Sequence, residues 1–290
     1  MKILLIGASG YLGSAVADHL DEAGHHIVEL TRATDDRPNG REQRVGDLTD
    51  PRSLTRAVTP DIDAVINMAT PTGDAETDAA AIAALTDPLR GTGRAFVYTS
   101  GVWVLGATGS GPVDENTPAN PIPIVGYRPT IERQVLDTAA SGVRALVIRP
   151  GIVHGRGGGI PALLVNLARE HAAPRFVGEE AVRWPMVHVD DLADLFVAAV
   201  ERAPAGSLWH GVTETAVAVH DLASAAGRAA GVHAQPRGWP LDQAREALGA
   251  LFADALALDQ SVSGDAARDK LGWRPQRDGA IADLVDGSYR

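Results

Sequence analysis

An α/β fold, a doubly wound parallel sheet covered on both faces by helices, is predicted by three observations. Short apolar runs recur through the first half of the 290-residue chain with helical stretches between them. The first run, Ile3-Leu4-Leu5-Ile6, passes directly into Gly7-Ala8-Ser9-Gly10-Tyr11-Leu12-Gly13. One amphipathic helix later, a second run begins at residue 26. A chain of this length buries a substantial core either as one large α/β domain or as a domain with a lobe.

The strand at 3–6 must turn tightly into a helix. Glycines at 7, 10 and 13 allow that turn and leave bare N–H groups where a pyrophosphate sits. Val16 and Leu20 mark the inner face of the helix, Gly24-His25 turns the chain, and 26–31 is the second strand. A glycine pattern alone is weak evidence, but strand, glycine turn, helix and strand at this spacing make a dinucleotide site. Further strands are predicted at 64–68, 95–99 and 145–149, and ligands of such sheets bind just past the strand ends. After Pro150 the pattern loosens into Gly155-Arg156-Gly157-Gly158-Gly159 and a helix near 160–171. Trp184 to Asp191 then leads into a helix at 191–202, with more helices near 219–231 and 241–257. The expected organisation is a Rossmann-type dinucleotide-binding domain over 1–155, with 187–215 returning to its sheet. Residues 156–290 are expected to form mainly a smaller C-terminal substrate-binding lobe. The Pro/Gly-rich stretch 106–126 reads as a long loop of the kind that carries function.

Composition narrows the partners. With no cysteine the chain has neither disulfides nor thiolate zinc sites, and no metal site is expected. A net charge of −11 argues against nucleic acid or an anionic membrane as a general partner. The leading apolar run is too short for a signal peptide and no later segment approaches a membrane span, so a soluble cytoplasmic protein is expected.

Taken together, these residues resemble the extended short-chain dehydrogenase/reductase superfamily, which includes nucleotide-sugar epimerases and dehydratases. The resemblance runs nearly end to end. It is carried by the glycine fingerprint, Gly46-Asp47-Leu48, Asn67-Met68-Ala69-Thr70, Tyr98-Thr99-Ser100, Arg149 to Gly155, Val187 to Ala193 and Leu271 to Pro275. It implies that Gly7, Ser9, Gly10, Tyr11, Leu12 and Gly13 hold the cofactor. Asp47, with Leu48 in the same site, would bind the adenine amine, Met68, Ala69 and Thr70 would line the adenosine, Thr99 would face the cofactor, and Pro150 to Val153 would back the nicotinamide. Where NAD enzymes place a carboxylate after the second strand this chain has Thr31-Arg32, and a guanidinium suits a 2′-phosphate, so NADP is expected over NAD. Asp191 reads as a helix N-cap, His188 as a packed strand residue and Trp273 as a core plug of the C-terminal lobe.

The family's redox members use a Ser/Thr and a Tyr with a Lys four residues later, and Tyr-x-x-x-Lys is missing here. If Glu132 matches the usual glutamate, the tyrosine position falls on Ile124, the lysine position on Arg128 and the serine position on Gly101 beside Ser100. Taking Tyr127 instead puts Ile131 at the lysine position. Pro129 disfavours a helix through 124–128 and suits a helix that begins there. Ser100, Tyr127 and Arg128 are the candidate catalytic residues: Tyr127 or a held water as proton donor, Arg128 as oxyanion stabiliser. His154 is a further candidate for proton transfer. The expected activity is NADP-dependent reduction of a small or medium, largely apolar carbonyl or enone, with Trp103, Trp184 and Trp209 able to form an apolar wall. Two alternatives stand beside it: a dinucleotide-binding sensor or partner without turnover, and an isomerase or cyclase using the cofactor structurally. The resemblance also implies a homodimer.

Overall fold

A computed structural model describes residues 1–33, 40–109 and 111–290. In chain order the first elements are β1 (Lys2–Ile6), α1 (Tyr11–Glu22), β2 (His26–Thr31), β3 (Glu42–Val45), α2 (Pro51–Ala57), β4 (Ala64–Asn67) and α3 (Ala75–Thr86). There follow β5 (Ala95–Thr99), α4 (Arg128–Asp137), β6 (Arg144–Pro150), β7 (Ile152–His154), α5 (Gly159–His171), β8 (Arg175–Val177), β9 (Arg183–His188) and α6 (Val189–Arg202). The last are β10 (Ser207–Gly211), β11 (Glu214–Ala218), α7 (Val219–Ala229), β12 (Arg237–Trp239), α8 (Leu241–Leu248), α9 (Ala250–Leu256), α10 (Asp265–Leu271) and α11 (Ala280–Asp286).

Seven parallel strands form the central sheet in the order β10-β6-β5-β4-β1-β2-β3. Their buried β-branched and leucine side chains pack both faces, as a parallel sheet requires. On one face Val16 and Leu20 of α1 meet Leu192 and Phe196 of α6. On the other, Leu54 of α2, Ile82 and Leu85 of α3 and Ile131 and Val135 of α4 close a second layer. The strand order reverses between β1 and β4, which opens a crevice at their carboxyl ends, where such sheets bind ligands. A lobe with its own core around Trp184, Met186, Leu222 and Trp239 carries the sheet β11-β9-β7 and the pair β12-β8. Among the described residues no helix is long and apolar enough to cross a membrane.

Several local expectations are corrected. β3 has no sequence signature because Glu-Gln-Arg-Val at the sheet edge is half-exposed rather than apolar. The helix expected over 241–257 is two helices, broken at Gly249, whose φ of +85° cannot continue a helix. The helix expected from 191 starts at Val189, and its N-cap is His188, whose Nδ1 accepts the Asp190 N–H at 3.1 Å. Asp191 instead accepts the Gln276 and Arg277 N–H groups, so its buried carboxylate ties the late chain to α6. Trp273 plugs the sheet-face core beside α6, not the lobe, and its indole N–H donates to the Asp191 carbonyl at 2.7 Å.

Candidate functional site

Gly7 leaves β1 at φ +85°, and a Cβ there would stand 2.9 Å from the Met68 and Ala69 backbone. A Cβ on Gly13 would stand 2.0 Å from the Gly7 carbonyl, so the turn and the first coil of α1 touch backbone to backbone. Gly10 occupies the N-cap and adds no side-chain bond, which leaves the helix end to a ligand. Beside this cradle lies a groove of about 750 Å³ lined by Gly7, Ser9 and Gly10, by Thr31 and Arg32 past β2, and by Asp47, Leu48, Met68, Ala69 and Thr70. Within it, Asp47 accepts the Thr49 N–H and hydroxyl at 2.8 and 2.7 Å, and these bonds hold its carboxyl below the ordinary range. Asp47 is the only carboxylate lining the groove among the described residues. Glu29 is buried within β2, accepts from Arg41 at 3.4 Å and does not line the groove.

Tyr11 and Leu12, on the first turn of α1, also line a second cavity of about 360 Å³. Its walls are apolar: Trp103 and Val104 from a 3-10 turn after β5, Pro150 to Val153, and Ile160 on α5. Trp184 and Trp209 are taken up by the two cores, so of the three tryptophans only Trp103 reaches it. Set into these walls are Thr99 Oγ1, Ser100 Oγ and Arg128 Nε, all buried and without a hydrogen-bond partner among the described residues. A second Arg128 nitrogen, Nη2, donates to the Thr99 carbonyl at 2.6 Å, and the guanidinium lies 5.1 Å over the Tyr98 ring. Arg128 opens α4 with Pro129 in the first turn, preceded by a 3-10 turn over Pro123–Val125. One helical turn on, Glu132 receives Arg149 of β6 through two bonds of 2.9 and 2.6 Å, a buried pair that sets α4 against the sheet.

The predicted site residues therefore divide between two adjoining hollows. Gly7, Ser9, Gly10, Arg32, Asp47, Leu48, Met68, Ala69 and Thr70 line the groove, and Tyr11, Leu12, Thr99, Ser100, Arg128, Pro150 and Val153 line the cavity. Gly13 lies beneath, as close-packed backbone. The structure does not bring Tyr127 to the cavity. Its hydroxyl donates to Asp78 at 2.6 Å, and burial together with that carboxylate pushes the phenol up to about 12, so the expected proton donor is held away from the cavity.

His154 is fully buried, with Nδ1 on Asp283 at 3.1 Å, and it lies behind the cavity wall without lining it. With His188 it forms a group of three potential metal ligands. Burial, and then His154, lowers the His188 pKa. The His188 Nδ1 lone pair is committed to the Asp190 N–H, so Nε2 carries the proton and does not ligate.

Two features have no signal in the sequence: the Arg149–Glu132 pair, and Ser288 and Tyr289, which reach Gly155 to Gly158 across some 130 residues. The glycine cradle, the groove with Asp47 and Arg32, and the unpartnered polar groups beyond Tyr11 together fit a dinucleotide lying along the carboxyl ends of the strands.

Comparison with known proteins agrees. Residues 3–209 match the model of the NAD dependent epimerase/dehydratase family. An uncharacterized protein of Schizosaccharomyces pombe is 32% identical over the whole of both chains. A Streptomyces protein named 3-diazoavenalumate denitrifying reductase is 29% identical, covering 95% of this chain and 96% of its own. The human epimerase family protein SDR39U1, solved with NADPH, superposes with a TM-score of 0.77 at 20% identity, covering 99% of each chain. This chain belongs to the NAD-dependent epimerase/dehydratase family, within the extended short-chain dehydrogenase/reductase superfamily.

Proposed function

We propose that the protein is an NADP-dependent reductase of a small or medium, largely apolar carbonyl or enone-type compound. The observation that carries this reading is the convergence of Thr99 Oγ1, Ser100 Oγ and Arg128 Nε, buried and unpartnered, on one apolar cavity that joins the glycine cradle. An apolar wall with a few convergent donors selects a substrate with one polar handle. When bound, the cofactor supplies the hydride. Arg128, held by the Thr99 carbonyl and the Tyr98 ring, keeps a fixed cation with a free N–H where negative charge develops on the substrate oxygen. Ser100 offers the hydroxyl that relays a proton from water to that oxygen, regaining from the water the proton it passes on. Tyr127, tied to Asp78, takes no part. The reductase name of the Streptomyces relative supports the class of reaction.

Replacing Arg128 with methionine is expected to lower the rate of carbonyl-dependent NADPH oxidation by about 10²-fold, the scale of losing one preorganised donor. NADPH binding should be retained, and Tyr127→Phe should leave the rate unchanged. A slow Tyr127→Phe enzyme beside a fast Arg128→Met enzyme would reverse the assignment. The preference for NADP rests on Arg32, which lines the groove where Glu29 does not. Arg32→Ala should weaken NADPH about tenfold, the order of one charge-assisted contact, and leave NADH unaffected in a calorimetric titration. Loss of both alike would remove the 2′-phosphate reading.

A second reading, a dinucleotide-binding protein without turnover, is favoured by the missing Tyr/Lys pair and the capture of Tyr127 by Asp78. Tight NADPH binding with no oxidation across aldehydes, ketones and enones would select it.

A further inference from the structure

We propose that Tyr289 is a positioning residue for the nicotinamide half of the cofactor site, acting through the loop Gly155-Arg156-Gly157-Gly158-Gly159. The proposal rests on the reading of the site as a dinucleotide cradle. Both flanks of this loop, Val153 and Gly159, line the apolar cavity, so the loop's shape sets the position of that wall.

The loop has a backbone that does not hold itself. Four of its five residues, Gly155, Arg156, Gly157 and Gly159, have positive φ, and at Arg156 the value is +49° with a full side chain. Its only internal backbone hydrogen bond among those found runs from the Gly158 N–H to the Gly155 carbonyl. Four of its backbone groups, the Gly155 N–H and carbonyl, the Gly157 N–H and the Gly158 carbonyl, are bonded by side chains from distant parts of the chain. Tyr289 Oη accepts the Gly155 N–H at 2.8 Å and donates to the Gly158 carbonyl at 2.7 Å, spanning the loop with one hydroxyl. Ser288 Oγ accepts the Gly157 N–H at 2.9 Å. Asp283 takes the Ser288 N–H and hydroxyl on one oxygen and faces His154 with the other.

The same loop is pressed onto the cofactor cradle. Tyr11, the residue after Gly10, donates its hydroxyl to the Gly155 carbonyl at 2.8 Å. Its ring lies so close to Gly158 that a Cβ there would stand 2.4 Å away. Arg156 adds ion pairs to Asp18 of α1 and Asp190 of α6 at 3.0 and 2.7 Å. A continuous set of contacts therefore leads from Tyr289 through the loop to Tyr11 and to the cavity wall. It reaches the cavity and leaves untouched the groove that holds Asp47 and Arg32.

That asymmetry provides the test. Wild type, Tyr289→Phe and Ser288→Ala are titrated with NADPH and with adenosine 2′,5′-bisphosphate, which carries only the adenine half, and the melting temperature of each free protein is recorded. Tyr289→Phe should raise the Kd for NADPH about tenfold, the scale of stranding two buried hydrogen-bond partners. Affinity for the bisphosphate should not change, and Ser288→Ala should follow with a smaller rise of about threefold. Unchanged NADPH affinity in both variants overturns the proposal. So does an equal loss of both ligands, or a lowered melting temperature with neither affinity changed, since each is what a purely structural role produces. If Tyr289→Phe does not fold, the Ser288→Ala titration decides alone. Wild type that binds neither ligand would instead remove the cradle reading itself.

Discussion

Replacing Gly13 with alanine is expected to abolish dinucleotide binding and to cost about 3 kcal/mol of stability, the upper end of overpacking penalties. The added Cβ would lie 2.0 Å from the Gly7 carbonyl oxygen and 2.8 Å from its carbon, and both are backbone atoms with no rotamer to escape through. Relief requires either Gly7 or the start of α1 to move. Gly7 has little room to do so, because its own Cβ direction ends 2.9 Å from the backbone of Met68 and Ala69. The clash therefore opens the turn that forms the cradle. Gly24→Ala is the control: its φ of +82° carries the left-handed strain of about 1–2 kcal/mol, but nothing lies within 4 Å of the new methyl. Urea unfolding with NADPH titration of both variants separates the two effects. Binding retained by Gly13→Ala would show that the turn relaxes without loss of the cradle.

Glu132→Ala should destabilise the protein by about 3–5 kcal/mol, because it strands a buried cation. The side chains of Arg149 and Glu132 are only 6% and 4% exposed, and Arg149 Nη1 already lacks a partner among the described residues. Without the carboxylate, the guanidinium has no other anion bonded to it among the contacts found. The double variant Glu132→Leu, Arg149→Met should recover most of the loss, since it removes both charges and keeps the volume. Recovery in the double variant, measured by denaturant midpoint, identifies desolvation as the cause. If the double variant is as unstable as the single, the pair contributes through packing of α4 instead. Because Arg128 begins the same helix one turn earlier, the single variant should also lose the cavity's fixed cation.

Much of the fold is legible in the sequence. β1, the glycine turn and α1 are encoded within about 20 residues, where apolar periodicity and the demand for positive φ act locally. That the residues just past the strand ends share one groove is equally readable, because parallel strands deliver whatever follows their carboxyl ends to one line. Arg32, Asp47, Met68, Ala69 and Thr70 meet there although they come from three strand ends. β3 leaves no mark in the sequence because a half-exposed edge strand needs no apolar run.

Side-chain direction was not legible, and the candidate chemistry depends on it. Tyr127 stands next to Arg128 in the chain, yet its hydroxyl turns to Asp78, 49 residues away, while the guanidinium turns to Thr99 and the cavity. Asp191 looked like a helix cap and instead holds the backbone at 276 and 277. Tyr289, which carries no motif, closes a loop 134 residues earlier. By itself the sequence determined the parallel sheet, the dinucleotide cradle and the absence of the usual Tyr/Lys pair, all properties of short segments. Which polar groups face the cavity, which are spent on holding the chain, and what fastens the loop at 155–159 were decided only by tertiary structure. The physical reason is that a buried hydroxyl, carboxylate or guanidinium must find a partner, and that partner is chosen by packing between segments far apart in the chain.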